Sequence, residues 1–258
     1  VASGEFHEIH AALAQSQAPT VQRALPMIAI PTTAGTGSEV TPWATLWDRT
    51  SAKHQKYSLH LEQTWPEAAL VDPALTLSLP QVVTRDSNLD ALSHALESIW
   101  NVNANPVSDG LAVQAARTVI HHLPALLKDP TDHHLRTLAS QASLFAGLAF
   151  SNTRTALAHN ISYEMTLKHG LSHGLACSFT LPMVWRLAQG RDRQRDSVLQ
   201  SVFGADVHDP ATALEKFLES VGVSSHFEDY GVSAADAQAL IQSSMQGARG
   251  KNFIGSTA

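Results

Sequence analysis

Apolar residues along this chain follow two patterns. Near the start stand two short continuous runs, Pro26-Met27-Ile28-Ala29-Ile30-Pro31 and Ala68-Ala69-Leu70-Val71, the second closed by Asp72-Pro73. Runs of this length bounded by proline and turn residues predict strands covered on both faces. Residues 41–60 read as irregular strand and turn. From Leu79 onward the period lengthens to that of a helix. Apolar positions recur at helical spacing over residues 84–100, 107–127, 132–149, 156–168, 172–187, 192–203, 210–221 and 234–248. Breaks fall at Asn103-Ala104-Asn105-Pro106, at Asp129-Pro130 and at Gly190. Most of these apolar positions are core. The pattern predicts a small α/β piece over residues 1–78 and an all-helical domain over residues 79–258.

Composition narrows the possibilities. A chain of 258 residues with 44% hydrophobic and 16% charged residues can bury a substantial core. A net charge of −6 without a basic run argues against nucleic acid as a partner. No apolar stretch is long enough for a bilayer, and Val1-Ala2-Ser3-Gly4-Glu5 does not read as a signal peptide. The single cysteine, Cys177, rules out an intrachain disulfide framework and fits a reducing compartment, so a cytoplasmic protein is expected.

Two local features carry chemistry. Asp90 and His94, four apart in a helical segment, lie on one face, where a carboxylate and an imidazole can reach a single cation. His159 and His173 would complete an Asp/His/His/His set, which suits iron or zinc better than magnesium or calcium. With 14 histidines in the chain, the spacing alone is weak. His121-His122 and His133-His134 read as solvent-facing, and Cys177 as a small packing residue. The second feature is the loop Pro31-Thr32-Thr33-Ala34-Gly35-Thr36-Gly37-Ser38-Glu39 after the first strand. Its glycines permit close backbone approach, and its hydroxyls and N–H groups can cradle phosphate or ribose oxygens. It matches neither G-x-G-x-x-G nor a Walker A loop.

These residues also carry a resemblance. Pro31 to Glu39, Val71-Asp72-Pro73, Leu89-Asp90-Ala91-Leu92-Ser93-His94-Ala95-Leu96-Glu97, Ala158-His159 and His173-Gly174, in this order and at these separations, resemble the iron-containing (group III) alcohol dehydrogenases. The similarity runs over residues 26–185 and weakens afterwards. It implies a dinucleotide-binding α/β domain, here partial, followed by an all-α metal-binding domain of the dehydroquinate synthase-like architecture. It further implies Asp90, His94, His159 and His173 as ligands of Fe(2+), with Zn(2+) as the alternative. Thr32, Thr33, Gly37 and Ser38 would contact NAD(P). The implied reaction is hydride transfer between NAD(P)H and a small aldehyde, or the reverse from a primary alcohol, in a homodimer. The ion would act as a Lewis acid.

Two departures stand out. The family's His-x-x-x-His reads His159-Asn160-Ile161-Ser162-Tyr163 here, so Tyr163 takes the place of a histidine near the nicotinamide. A phenol can still donate a proton or a hydrogen bond there. The family's Gly-Gly-Gly-Ser phosphate loop would precede Pro31 and is not in this sequence, so much of the dinucleotide fold is expected to lie outside it. Residues 156–163 and 174–179 are similar to a phosphonoacetaldehyde reductase subgroup, and Arg85, Arg154 and Lys168 are the cations nearest the motifs. The rival readings are a glycerol dehydrogenase-like zinc enzyme and a truncated, non-catalytic metal-binding helical domain.

Overall fold

Five helix starts follow from side-chain caps. The structure, a computed structural model, describes residues 11–13, 25–48 and 55–256. From Gln81 onward the α-helices are α1 (Gln81–Ile99), α2 (Pro106–Lys128), α3 (His133–Thr153), α4 (Leu157–Lys168), α5 (His173–Ser178), α6 (Leu181–Ala188), α7 (Arg193–Phe203), α8 (Pro210–Ser220) and α9 (Ala234–Gln246). Asn105, Asp132, Asp192, Asp209 and Ser233 cap α2, α3, α7, α8 and α9 by accepting backbone N–H groups of the first turn. Residues 172–187, expected as one helix, are two. The chain breaks at Phe179-Thr180 because Pro182 has no N–H to continue α5 and instead sits in the first turn of α6.

The chain divides into two units. One holds Thr32–Gly37 and Asp72–Ala258. At its centre lies α1, whose residues from Asn88 to Ile99 are all buried, flanked by α2, α3 and α5. A helix covered on every side has no polar face, so each polar group on it must find a partner inside the protein. Leu89, Leu92, Leu96, Ile99 and Trp100 build the core around it with Leu157, Ile161 and Phe179. No helix among the described residues is long and apolar enough to cross a membrane.

The other unit holds Ser38–Val71 and the chain before Thr32. β1 (Ile28–Ala29) pairs in parallel with β4 (Ala68–Ala69), and β2 (Trp43–Asp48) pairs antiparallel with β3 (Gln55–His60), Trp43 opposite His60. Within residues 41–60, expected as irregular strand and turn, the described residues 43–48 and 55–60 thus form a regular two-stranded ladder. The expectation of strands covered on both faces fails among the described residues. Ile28 is 67% exposed, Ile30 48% and Leu70 57%. A two-residue ladder gives each strand one neighbour and covers neither face.

Candidate metal centre

The centre grows from α1. Asp90, His94 and Glu97 stand on successive turns of that helix, and all three are buried. Glu97, fully buried, accepts backbone N–H groups from Ala156 (2.9 Å), Ala158 (2.5 Å) and His159 (3.2 Å). These belong to the first turn of α4, which has no side-chain cap of its own. Glu97 therefore caps α4 from across the core. The turn that leads into α4 contains Arg154, whose φ of 69° makes it the one non-glycine residue with positive φ among those described. Such a conformation persists only where the surroundings hold it. The Arg154 carbonyl accepts from Asn101 Nδ2 at 3.0 Å.

The same carboxylate sets the chemistry of His159. Glu97 Oε2 lies 2.6 Å from His159 Nδ1. An anionic carboxylate there fixes the proton on Nδ1, and a neutral ring then presents a lone pair at Nε2. Burial opposes the charge on Glu97, but His159 and the helix-end N–H groups hold its carboxyl below the usual range. His94 is oriented likewise: its Nδ1 lies 3.2 Å from the Gly35 carbonyl and its ring stacks on Phe150 at 4.1 Å. Burial pushes His94 down to about 4, so it is neutral at pH 7. Gly35 comes this close because it has no side chain; a Cβ there would collide with the Ser87 carbonyl of α1. A Cβ on Gly174 would likewise strike the Asp86 carbonyl, so glycine lets α5 approach α1 and carries His173 inward.

Three imidazoles thereby meet one carboxylate oxygen. Asp90 Oδ1 lies 3.4 Å from His159 Nε2, 3.7 Å from His94 Nε2 and 3.9 Å from His173 Nε2. Donors that share one ion at about 2.1 Å in a tetrahedron stand about 3.4 Å apart, so these separations fit a common ion. Asp90 Oδ1 and His159 Nε2 are buried and make no hydrogen bond. With the proton fixed on Nδ1, two lone-pair atoms face each other, an arrangement that needs positive charge between them. The charges bear this out. The three histidines outweigh burial and hold the Asp90 carboxyl far below its usual range, while His159, despite burial, is held well above its usual value by Cys177 and Glu97. A proton on His159 meets the same electrostatic demand that an ion would.

Two groups border this cluster. Cys177, one turn beyond His173 on α5, is fully buried with Sγ 3.6 Å and 3.7 Å from the His173 ring nitrogens. Burial opposes its thiolate, but His159 and His173 prevail and pull the thiol down to about 6. Tyr163, one turn beyond His159, is half-buried, and burial pushes its phenol up, so it is a protonated donor at neutral pH. The Arg249 guanidinium stands 6.0 Å from the Tyr163 ring centroid and hydrogen-bonds Thr155 Oγ1.

Of the other residues singled out in the sequence, Thr32 and Ser38 are exposed, Thr33 is half-buried and Gly37 is buried. The loop Thr32–Gly37 is anchored on the helices: Ala34 packs with Leu126 and Ala139, and Gly37, at φ 57°, lies against Gly147. His121, His133, His134 and His169 are exposed and His122 is half-buried. Asp72 caps the turn Pro73–Thr76 through Ala74 N at 3.0 Å. Of the cations near the motifs, Arg85 pairs with Asp86 and Lys168 with Glu164, both along the helix that carries them. Sequence reasoning passed over Glu97 and Arg249. Glu97 was visible as the end of the Asp90 motif, two helical turns on, whereas nothing marked Arg249.

Comparison with known proteins gives the wider context. A model of the iron-containing alcohol dehydrogenase family, C-terminal part, matches residues 84–256, and one described as iron-containing alcohol dehydrogenase matches residues 2–73. The chain is 32% identical over 231 residues to the NAD-dependent methanol dehydrogenase of Bacillus methanolicus, covering 86% of this chain and 60% of that protein. It is 32% identical over 234 residues to the probable alcohol dehydrogenase EutG of Escherichia coli, covering 90% of this chain and 59% of that one. Among solved structures, sulfoacetaldehyde reductase from Bifidobacterium kashiwanohense in complex with NAD+ superposes with a TM-score of 0.86 at 31% identity, covering 95% of this chain and 64% of that one. The chain thus spans about 60% of the length of these relatives.

Proposed function

The chain belongs to the iron-containing alcohol dehydrogenase family, and from that premise we propose that its protein interconverts a small aldehyde and the primary alcohol by hydride transfer with NAD(P). The observation that carries this reading is the approach of two buried atoms without hydrogen bonds, Asp90 Oδ1 and His159 Nε2, to 3.4 Å beside two further imidazoles. In the proposal Asp90, His94, His159 and His173 hold a divalent ion, ferrous iron or zinc. Such an ion supplies Lewis acidity toward a carbonyl oxygen. The protein's part is orientation: Glu97 and Gly35 fix which nitrogen of His159 and of His94 is offered. Tyr163, kept protonated by burial, is the proton donor to the nascent alcohol. Thr32, Thr33, Gly37 and Ser38 contact the cofactor, a role supported by the exposure of Thr32 on the anchored loop.

The finer reading is an aldehyde that carries an anionic group, phosphonoacetaldehyde foremost. Support comes from the motif similarity, from a structural relative that is a sulfoacetaldehyde reductase, and from Arg249 beside Tyr163. A guanidinium suits a phosphonate or sulfonate because its paired N–H groups match two oxygens. The test is NADH and NADPH oxidation with phosphonoacetaldehyde, sulfoacetaldehyde and acetaldehyde. The anionic aldehydes should give kcat/KM at least about tenfold above acetaldehyde, one charged contact's worth, and Arg249→Gln should erase that preference through KM. Equal use of all three aldehydes would remove the anionic reading; no oxidation of either cofactor by the metal-loaded protein would remove the dehydrogenase reading.

A further inference from the structure

The four-residue ligand set leaves one donor unused. Asp90, His159, His173 and Cys177 each offer a ligand atom, and these four atoms all lie within 4.8 Å of one another. Cys177 Sγ is 3.7 Å from His173 Nε2, the nitrogen that itself stands 3.9 Å from Asp90 Oδ1. Sulfur and nitrogen bound to one zinc at about 2.3 Å and 2.1 Å are about 3.6 Å apart, so the sulfur sits at ligand spacing. Two independent observations point into the same place: Asp90 Oδ1 and His159 Nε2, both buried and without hydrogen bonds, are aimed there. Packing alone does not account for the cysteine. A thiol placed for core filling would meet aliphatic neighbours, whereas this one lies against the ring nitrogens of His173.

We propose that Cys177 binds the ion as a thiolate, making the centre a mixed oxygen, nitrogen and sulfur site that favours zinc over iron or manganese. The proposal rests on the metal centre argued above and concerns which ion that centre selects. Binding replaces the S–H bond with a sulfur–metal bond and releases one proton to solvent; no electron is transferred. A soft donor strengthens zinc and cobalt binding far more than manganese binding, for which oxygen donors suffice. One helical turn separates His173 from Cys177, so α5 presents both to one point.

Cobalt(II) is the probe, read by absorption of the purified protein. Thiolate ligation gives an intense near-ultraviolet charge-transfer band that nitrogen and oxygen donors do not give. The expected result is that band in the wild-type protein, its loss in Cys177→Ser with the weaker visible cobalt bands retained, and zinc affinity lowered about tenfold or more in that variant while manganese affinity holds. The wild-type spectrum decides the question even if the variant fails to fold. Visible cobalt bands without a charge-transfer band would overturn the thiolate and leave the metal centre standing. No cobalt uptake at all would overturn both, a distinguishable failure.

Discussion

Two buried acid–base clusters in the helical unit are built to opposite ends. In one, Asp109 on α2 meets Arg195 on α7 fork to fork, at 2.5 Å and 2.8 Å, and the guanidinium also donates to the Ile99 carbonyl at 3.4 Å. Charge and hydrogen bonds close upon themselves. In the other, Glu97 is fully engaged by α4 while Asp90, two turns earlier on the same helix, meets three imidazoles with its Oδ1 making no hydrogen bond. The first cluster joins helices and asks for nothing more. The second leaves buried bonding capacity unmet at Asp90 Oδ1 and His159 Nε2. Burial of charge is therefore a poor marker of function by itself; what marks the site is burial combined with unmet bonding capacity.

The comparison breaks most visibly at the closed pair. Asp109→Ala leaves a buried guanidinium unpaired and should cost about 3–5 kcal/mol in chemical denaturation. Its metal content per folded molecule should stay at the wild-type level; a loss of metal would mean that the two clusters are not independent. Next comes the response to an ion. Zinc at a hundred times its Kd should stabilise the wild-type protein by about 2.7 kcal/mol, do the same for Asp109→Ala, and do nothing for Asp90→Asn. Equal stabilisation of all three proteins would place binding elsewhere. Glu97→Gln tests the link between fold and site. An amide opposes the N–H donors of α4 with its own NH2 and no longer fixes the proton on His159 Nδ1, so metal affinity should fall by a factor of about 10–100. Calorimetric titration reads this directly, and unchanged affinity would reduce Glu97 to a helix cap.

The smallest effect sharpens the rule from outside both clusters. Glu39 is buried, and burial raises its carboxyl above the usual range. A raised folded-state value means that the native state binds the proton more tightly. Its contribution to stability is full below the unfolded value of about 4.3 and is lost as pH rises through the raised folded value. Glu39→Gln should therefore flatten the decline of stability across that window, measured by thermal melts across pH. A steeper decline in the variant would show that Glu39 has a compensating partner.

Much of this was legible in the sequence because local rules agreed with tertiary ones. Asn105-Pro106, Asp132, Asp209-Pro210 and Ser233 announce helix starts through capping chemistry that needs no distant partner. Convergence of Asp90 with His94 follows from one helical turn. Their meeting with His159 and His173 does not follow from spacing; it depends on Glu97 anchoring α4 and on Gly174 admitting α5, both contacts across the core. The exposure of Ile28, Ile30 and Leu70 was illegible for the same reason, since a run of apolar residues states that it suits burial and not what covers it. Cys177 reads in the sequence as a packing residue because a small buried cysteine usually packs, and its distance to the His173 nitrogens is a contact that spacing does not reveal.

The open cluster around Asp90 and His159 either holds an ion or does not. Metal content by mass spectrometry, after loading with iron or zinc and removal of loosely bound metal, should give about one equivalent for the wild-type protein, and at most a tenth of that for His159→Ala at limiting metal. Equal content in the two proteins would contradict the assignment of Asp90 and His159 as the heart of the site.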